Sequence, residues 1–214
     1  MSTRSWKAAV AIVIAAGMLA GCTPSTSQPA PTGDPTATGA PTPTPTPTST
    51  SSVDPADPTT WTITDEGVGP IRIGGDLVTT LGALPDNWKN DTANCAWTAW
   101  WSSADNAYGI YMVRGTESDT APIREVSVYT AAEAPVTVDG PRTAEGLGVG
   151  ATKAEVLAAY PDAQQGTAQI GGGTWIKLAG TGDAHVFFEY REGLDAASDV
   201  VVTIGAEPSY EVCG

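Results

Sequence analysis

Shifted against itself by 76 residues without a gap, the C-terminal part of this chain repeats its own apolar pattern. A repeat of that length limits the possible architectures more than any short motif in the sequence. Ile71, Ile73, Gly74, Leu81, Ala83, Pro85 and Asp86 fall on Leu147, Val149, Gly150, Leu157, Ala159, Pro161 and Asp162. The same shift sets Ile110, Tyr111 and Met112 on Val186, Phe187 and Phe188, and Val126 and Val128 on Val202 and Ile204. The stretch 61–214 is long enough for one ordinary core. The pattern therefore predicts a single domain built from two copies of one unit, about 61–137 and 138–214.

Each unit opens on a short helix. In the second, Thr152 is a good N-cap with Glu155 three residues later, and Pro161 disfavours helix at Tyr160 and beyond. In the first, Asp76 caps and Pro85 stops. Leu77, Leu81 and Leu84 give one helix an apolar side, and Leu157 with Tyr160 the other. Three segments with two-residue, β-branched or aromatic periodicity then follow: 95–101, 107–113 and 123–130, matched by 173–178, 185–190 and 199–204. Glycine and Asp/Ser clusters separate them, as hairpin turns require. The expected fold class is α+β: a helix and an antiparallel meander, twice over, with the helices covering one face of the sheet.

The N-terminus has the parts of an export signal, with Arg4 and Lys7 ahead of an apolar run from Ala8 to Ala20. Crossing a bilayer takes about 20 apolar residues, so this run reads as a signal sequence and not as a permanent span. Leu19, Ala20, Gly21 and Cys22 resemble the bacterial lipobox, which implies cleavage after residue 21 and a diacylglyceryl group on Cys22. Two acyl chains hold a protein on a membrane where one would exchange. From Thr23 to about Thr60 the chain turns to Thr, Pro, Ser, Ala and Gly. Such a composition cannot bury enough apolar surface to offset its ordering entropy, so 22–60 reads as a disordered linker. At about 3.1 Å per residue in extended polyproline conformation, it would reach roughly 100 Å from the bilayer. The expected location is the extracytoplasmic side of the cell membrane, with the membrane itself as a partner through Cys22.

The chain carries 10 Lys and Arg against 24 Asp and Glu. Removing 1–21 deletes two bases and no acid, which leaves 8 − 24 = −16. That balance argues against nucleic acid, whose phosphates would repel it. The acids are scattered, without the spacing of a calcium loop, and no metal or cofactor is expected. With Cys22 lipidated, Cys95 and Cys213 remain in a compartment where disulfides persist, and we expect them to pair. A redox pair would need the C-x-x-C spacing that they lack.

The segment 143–161, with Glu145, Gly146, Gly148 to Gly150 and the helix bearing Glu155, Val156, Ala159 and Tyr160, resembles one common in actinobacterial envelope lipoproteins. The ending Glu207, Pro208, Ser209, Tyr210 and Cys213 is similar to their C-terminal tail, and Gly171 to Gly173 with Trp175 to their Gly-rich turn and strand. This resemblance implies an envelope location and attaches no activity. The two-copy layout is also similar to the β-lactamase inhibitor protein fold, whose sheet clasps another protein. That likeness is architectural and transfers no residue role.

The inventory for catalysis is thin, and no enzyme is expected. His185 is the one histidine, with Glu189 further along the same strand. Gly171 to Gly173 precede a strand instead of opening a helix and lack the Lys and Ser/Thr of a phosphate loop, so they read as a hairpin turn. The unusual feature is aromatic. If Ile110, Met112, Val126, Val128, Ile176, Leu178, Val186, Phe188, Val202 and Ile204 face the helices, the opposite parity holds Trp101, Tyr111, Tyr129, Trp175 and Phe187. A sheet face left uncovered should be polar. Exposed aromatic rings mark contact surfaces. The expectation is a non-catalytic binding module that grips an envelope or extracellular protein through those five rings. The alternatives are a receptor for a carbohydrate or small ligand, or an envelope hydrolase or inhibitor of such an enzyme.

Overall fold

Among the described residues, ten strands and two seven-residue α-helices make up the fold, which is mostly antiparallel sheet. The structure is a computed structural model that describes residues 53–180 and 182–213. The expected signal sequence 1–21, the expected lipidation site Cys22 and residues 23–52 of the expected linker lie outside the described residues.

The described chain begins with a 3-10 turn, Pro58–Thr60, capped by Asp57. The indole of Trp61 donates to the carbonyl of Asp54 at 2.7 Å. The fold thus starts several residues before the boundary at residue 60 that composition suggests. Strands β1 (Ile63–Thr64), β2 (Gly67–Val68) and β3 (Ile71–Arg72) form a three-stranded sheet that the sequence pattern does not announce.

Helix α1 is Leu77–Ala83, with the Asp76 carboxylate accepting from the Thr79 amide, and α2 is Lys153–Ala159, opened by a capping box of Thr152 and Glu155. Both are two turns long, as their caps and prolines dictate. Strands β4 (Thr98–Ser102), β5 (Gly109–Arg114), β6 (Ile123–Tyr129), β7 (Gln164–Thr167), β8 (Thr174–Lys177), β9 (His185–Tyr190) and β10 (Asp199–Thr203) form the large sheet in the order β4-β5-β6-β10-β9-β8-β7. Every pairing is antiparallel. Six of these strands match the expected segments within three residues at each end, and β7 is additional.

Positions 76 residues apart adopt the same local structure. The bounds of α1 and α2 differ by 76, as do those of β5 and β9. Gly74 and Gly150 have φ of +84° and +86°, a left-handed conformation that favours glycine. Lys89 bridges Trp100 where Gln165 pairs with Ile176, again 76 residues on.

Residues paired directly across an antiparallel sheet share a face. One face carries Ile176, Phe188, Val200, Val128 and Ile110 in one row and Val186, Val202, Val126, Met112 and Ala99 in another. These residues form a single buried cluster with Trp61, Ile63, Val68 and Ile71 of the small sheet and its approach, Leu77 of α1 and Leu84 at its C-cap, and Val156 of α2. Nine of the ten residues assigned to this face by parity belong to the cluster. Ile204 does not: β10 stops at Thr203, and Ile204 is exposed.

Candidate functional site

The second face of the large sheet holds four of the five expected aromatic residues. One outer row runs Trp175, Glu189, Asp199, Tyr129, Gly109 and Ser102, and the adjoining row Lys177, Phe187, Val201, Ser127, Tyr111 and Trp100. A third row contains His185, Thr203, Glu125, Val113 and Thr98. Trp101 is a correction. It pairs with Ile110, so it points to the core face, where it packs at the cluster's edge against Tyr108 with ring centroids 5.6 Å apart. The tryptophan of β4 on the aromatic face is Trp100, opposite Tyr111.

This face is not bare, which is the second correction. Phe187 is 0% exposed, and Tyr111, Tyr129 and Trp175 are partly buried. Part of the cover is the C-terminal segment after β10, which turns back over the sheet as a strap. The Ser209 amide donates to Glu125 Oε2 at 3.1 Å, and Val212 accepts from the Trp97 indole at 2.7 Å. Cys213 closes the strap with a disulfide to Cys95, Cα atoms 5.7 Å apart, as the cysteine count predicts. The rings also splay outward. Tyr129 lies over Gly109 and Trp175 over Gly166, so close that a Cβ on either glycine would strike the ring at 2.7 and 2.2 Å. Between them sits the acid pair of that row, Glu189 and Asp199, both partly buried.

What remains accessible is a cleft of about 530 Å³, bounded by the Gly-rich turn, the strand ends at Glu189 and Asp199, and the strap. Tyr111, Ile170, Glu189, Asp199, Ser209 and Tyr210 are among its lining residues. Gly171 and Gly172, with φ of +78° and +67°, form the β7–β8 turn at its rim, as the hairpin reading requires.

Glu189 and Asp199 are direct cross-strand partners, which sets their Cβ atoms about 5 Å apart. Burial, and then the charge of Asp199, push the Glu189 carboxyl up to about 7. Burial also raises Asp199, with a hydrogen bond from Ser198 and the charge of Arg191 opposing it. Glu125, 0% exposed, is raised by burial against hydrogen bonds from Thr203 and Ser209. Burial first and nearby carboxylates second hold the Tyr111 and Tyr210 phenols well above their ordinary range.

No family model matches the chain, and no curated protein or solved structure matches it.

A carboxyl poised near neutrality beside a second one can accept from a ligand donor when charged and donate to a ligand oxygen when neutral. His185 stands four residues before Glu189 on β9, roughly 13 Å along the strand, too far to share a proton with it directly. Among the described residues no group of three or more His, Cys, Asp or Glu is arranged to hold a metal ion. Sequence reading passes over Asp199 and Glu125 because an acid on one side of an amphipathic strand looks like solvent-facing surface, and it gives Tyr210 no role beyond the likeness of the tail. The one available signal was Cys213: a penultimate cysteine bonded to Cys95 must bring the tail back onto the domain.

Proposed function

We propose that the protein is an exported, lipid-anchored binding protein. Cys22 holds it on the extracytoplasmic side of the membrane, and its ligand enters the cleft between the second sheet face and the C-terminal strap. The observation that carries this reading is the paired carboxylates of Glu189 and Asp199 on the floor of an open cleft with tyrosines beside them. Its volume lies within the range of about 300–1,000 Å³ usual for small-ligand sites, which combine apolar walls with a few placed polar groups. The likeness to actinobacterial envelope lipoproteins and the lipobox-like Cys22 support the location.

We further infer that the domain is two copies of a helix-and-meander unit whose helices cover the core face of the sheet. The 76-residue correspondence of α1 with α2 and of β5 with β9 supports this. So do Leu77 and Val156, which share one cluster with that face. The layout leaves the second face to be shaped by the tail.

Docking of a larger protein is the second reading. It rests on Trp100, Tyr129 and Trp175, which keep partial exposure on that face. Thermal-shift screening of the full-length protein against wall-polymer fragments, sugars and small ions separates the two. Ile170 is 53% exposed at the cleft rim, so Ile170→Trp narrows the mouth without touching the core. Ligands that stabilise the wild type should fail on that variant and still bind Trp100→Ala. If no small molecule binds, or if Ile170→Trp leaves binding unchanged, the cleft reading is wrong.

A further inference from the structure

We propose that the free edge of β7 docks a second copy of this chain, which lays its own β7 alongside in antiparallel sense and joins the two large sheets about a two-fold axis at Gly166.

An edge strand exposes a row of main-chain donors and acceptors, and folded proteins close such rows with charges, prolines or a covering segment. The two edges of the large sheet, β4 and β7, differ in this respect. At β4 the row is taken: Lys89 and Trp100 exchange both amide-to-carbonyl bonds at 2.8 Å, and the Asn90 side chain donates to the Thr98 carbonyl. At β7 the row is open. Bonded and unbonded pairs alternate along an antiparallel ladder. The Ala168 amide donates to the Gly173 carbonyl at 3.0 Å, so Gly166 and Gln164 also turn toward β8, while Gln165 and Thr167 turn away from it. The Leu178 amide, donating to the Val186 carbonyl at 2.8 Å, fixes the same phase from β9: Thr174 and Ile176 face β9, which leaves Trp175 and Lys177 for β7. Gln165 and Thr167 are exposed, and among the described residues no hydrogen bond reaches their amides or carbonyls.

Charge selects the occupant. With a net charge of −14, two copies repel over most of their surface. Yet no charged residue occurs from Ala163 to Ile176, which takes in β7, its turn and most of β8. Along that hairpin a second copy meets no like charge. The strand also matches itself. A two-fold axis normal to the sheet keeps both faces in register, so Gln165 of each copy lies opposite Thr167 of the other and their outward amides and carbonyls pair. Gly166 meets its counterpart on the axis.

The side chains fit this pairing. The Trp175 indole spreads over Gly166, where a Cβ would strike it at 2.2 Å, so the pairing brings the two indoles together above the axis. On the opposite face the row of Thr174 and Thr167 continues into Gln165 of the second copy. Thr174, Thr167 and Gln165 line a cavity of about 260 Å³ beside Lys153, and Thr174 Oγ1 is buried without a hydrogen-bond partner. Buried hydroxyls in folded proteins are nearly always satisfied, and the incoming Gln165 amide offers this one a partner.

Sedimentation of the full-length protein in detergent, from micromolar to millimolar concentration, tests this. A monomer–dimer equilibrium is expected. Gln165→Pro removes an outward amide without breaking a bond to β8, and should weaken the dimer at least tenfold while the circular dichroism spectrum stays that of the wild type. Gln165→Lys combined with Thr167→Lys sets like charges opposite each other in both pairs and should do the same. Trp100→Ala, at the other edge, should leave the dimer intact. A protein that is monomeric throughout overturns the inference, as does a dimer that survives both β7 variants. A monomer that binds a synthetic peptide of residues 163–170 overturns the second copy as the occupant and leaves the edge to a foreign strand.

Discussion

Replacing Glu189 by Gln should stabilise the folded protein, and only above acidic pH. In the unfolded chain this carboxyl titrates near its ordinary value of 4.5, whereas in the fold it is held up to about 7. Below about pH 4 it is protonated in both states, and Gln, which mimics the neutral carboxyl, changes little. Between roughly pH 4.5 and 7 the unfolded chain releases its proton while the folded one keeps it, so the wild type loses stability as pH rises. Above about pH 7 the loss is complete. The shift of about 2.5 units corresponds to roughly 3 kcal/mol at 1.36 kcal/mol per unit, and residual solvent contact at the cleft lowers this to about 2 kcal/mol. For a domain of this size each kcal/mol moves the melting temperature by about 2–4 °C. The variant should therefore melt roughly 4–8 °C above wild type at pH 8 and level with it at pH 4, by circular dichroism in ligand-free buffer. A lower melting temperature at pH 8, or a gain independent of pH, would refute the reasoning that burial and Asp199 hold this proton.

The other predictions concern the frame. Cys95 and Cys213 are 118 residues apart, so replacing both by Ser should cost about 3–5 kcal/mol in urea unfolding. The same change should alter Trp97 fluorescence as the strap loosens. A Cβ on Gly150 would meet the Thr137 nitrogen and Val136 carbonyl carbon at 2.2 Å, while one on Gly74 meets nothing within 4 Å. Gly74→Ala should thus lose only the left-handed backbone penalty, about 1–2 kcal/mol, and Gly150→Ala should lose well over twice that or fail to fold. Thr152→Ala removes the capping box of α2 and should cost about 1 kcal/mol by thermal melt.

Much of the framework was legible in the chain because it is local. Caps at Asp76 and Thr152 with stops at Pro85 and Pro161 mark both helices, and alternation marks six of the seven large-sheet strands. The 76-residue register even anticipates paired turns such as those at Gly74 and Gly150. What escaped depends on distant contacts. Two-residue strands such as Ile63–Thr64 are too short to show a period, and Gln164–Thr167 is polar throughout. Parity puts Trp101 on the wrong face because Trp97, Trp100 and Trp101 crowd the expected segment 95–101, where a slip of one residue exchanges faces. Only the Ile110 pairing fixes it. The acid site was hidden for a different reason: Glu125, Glu189 and Asp199 sit where an uncovered face would carry solvated polar groups, and only the returning strap turns them into buried, partly unpartnered ones.

The most direct test is to titrate isotopically labelled full-length protein with whichever ligand the screen selects and follow its amide resonances. The account predicts the largest shifts at 168–174, 189–192, 198–199 and 209–210, around the Glu189–Asp199 floor and the strap. Shifts centred on Trp100 and Trp101 at the β4 edge, with the cleft silent, would contradict it.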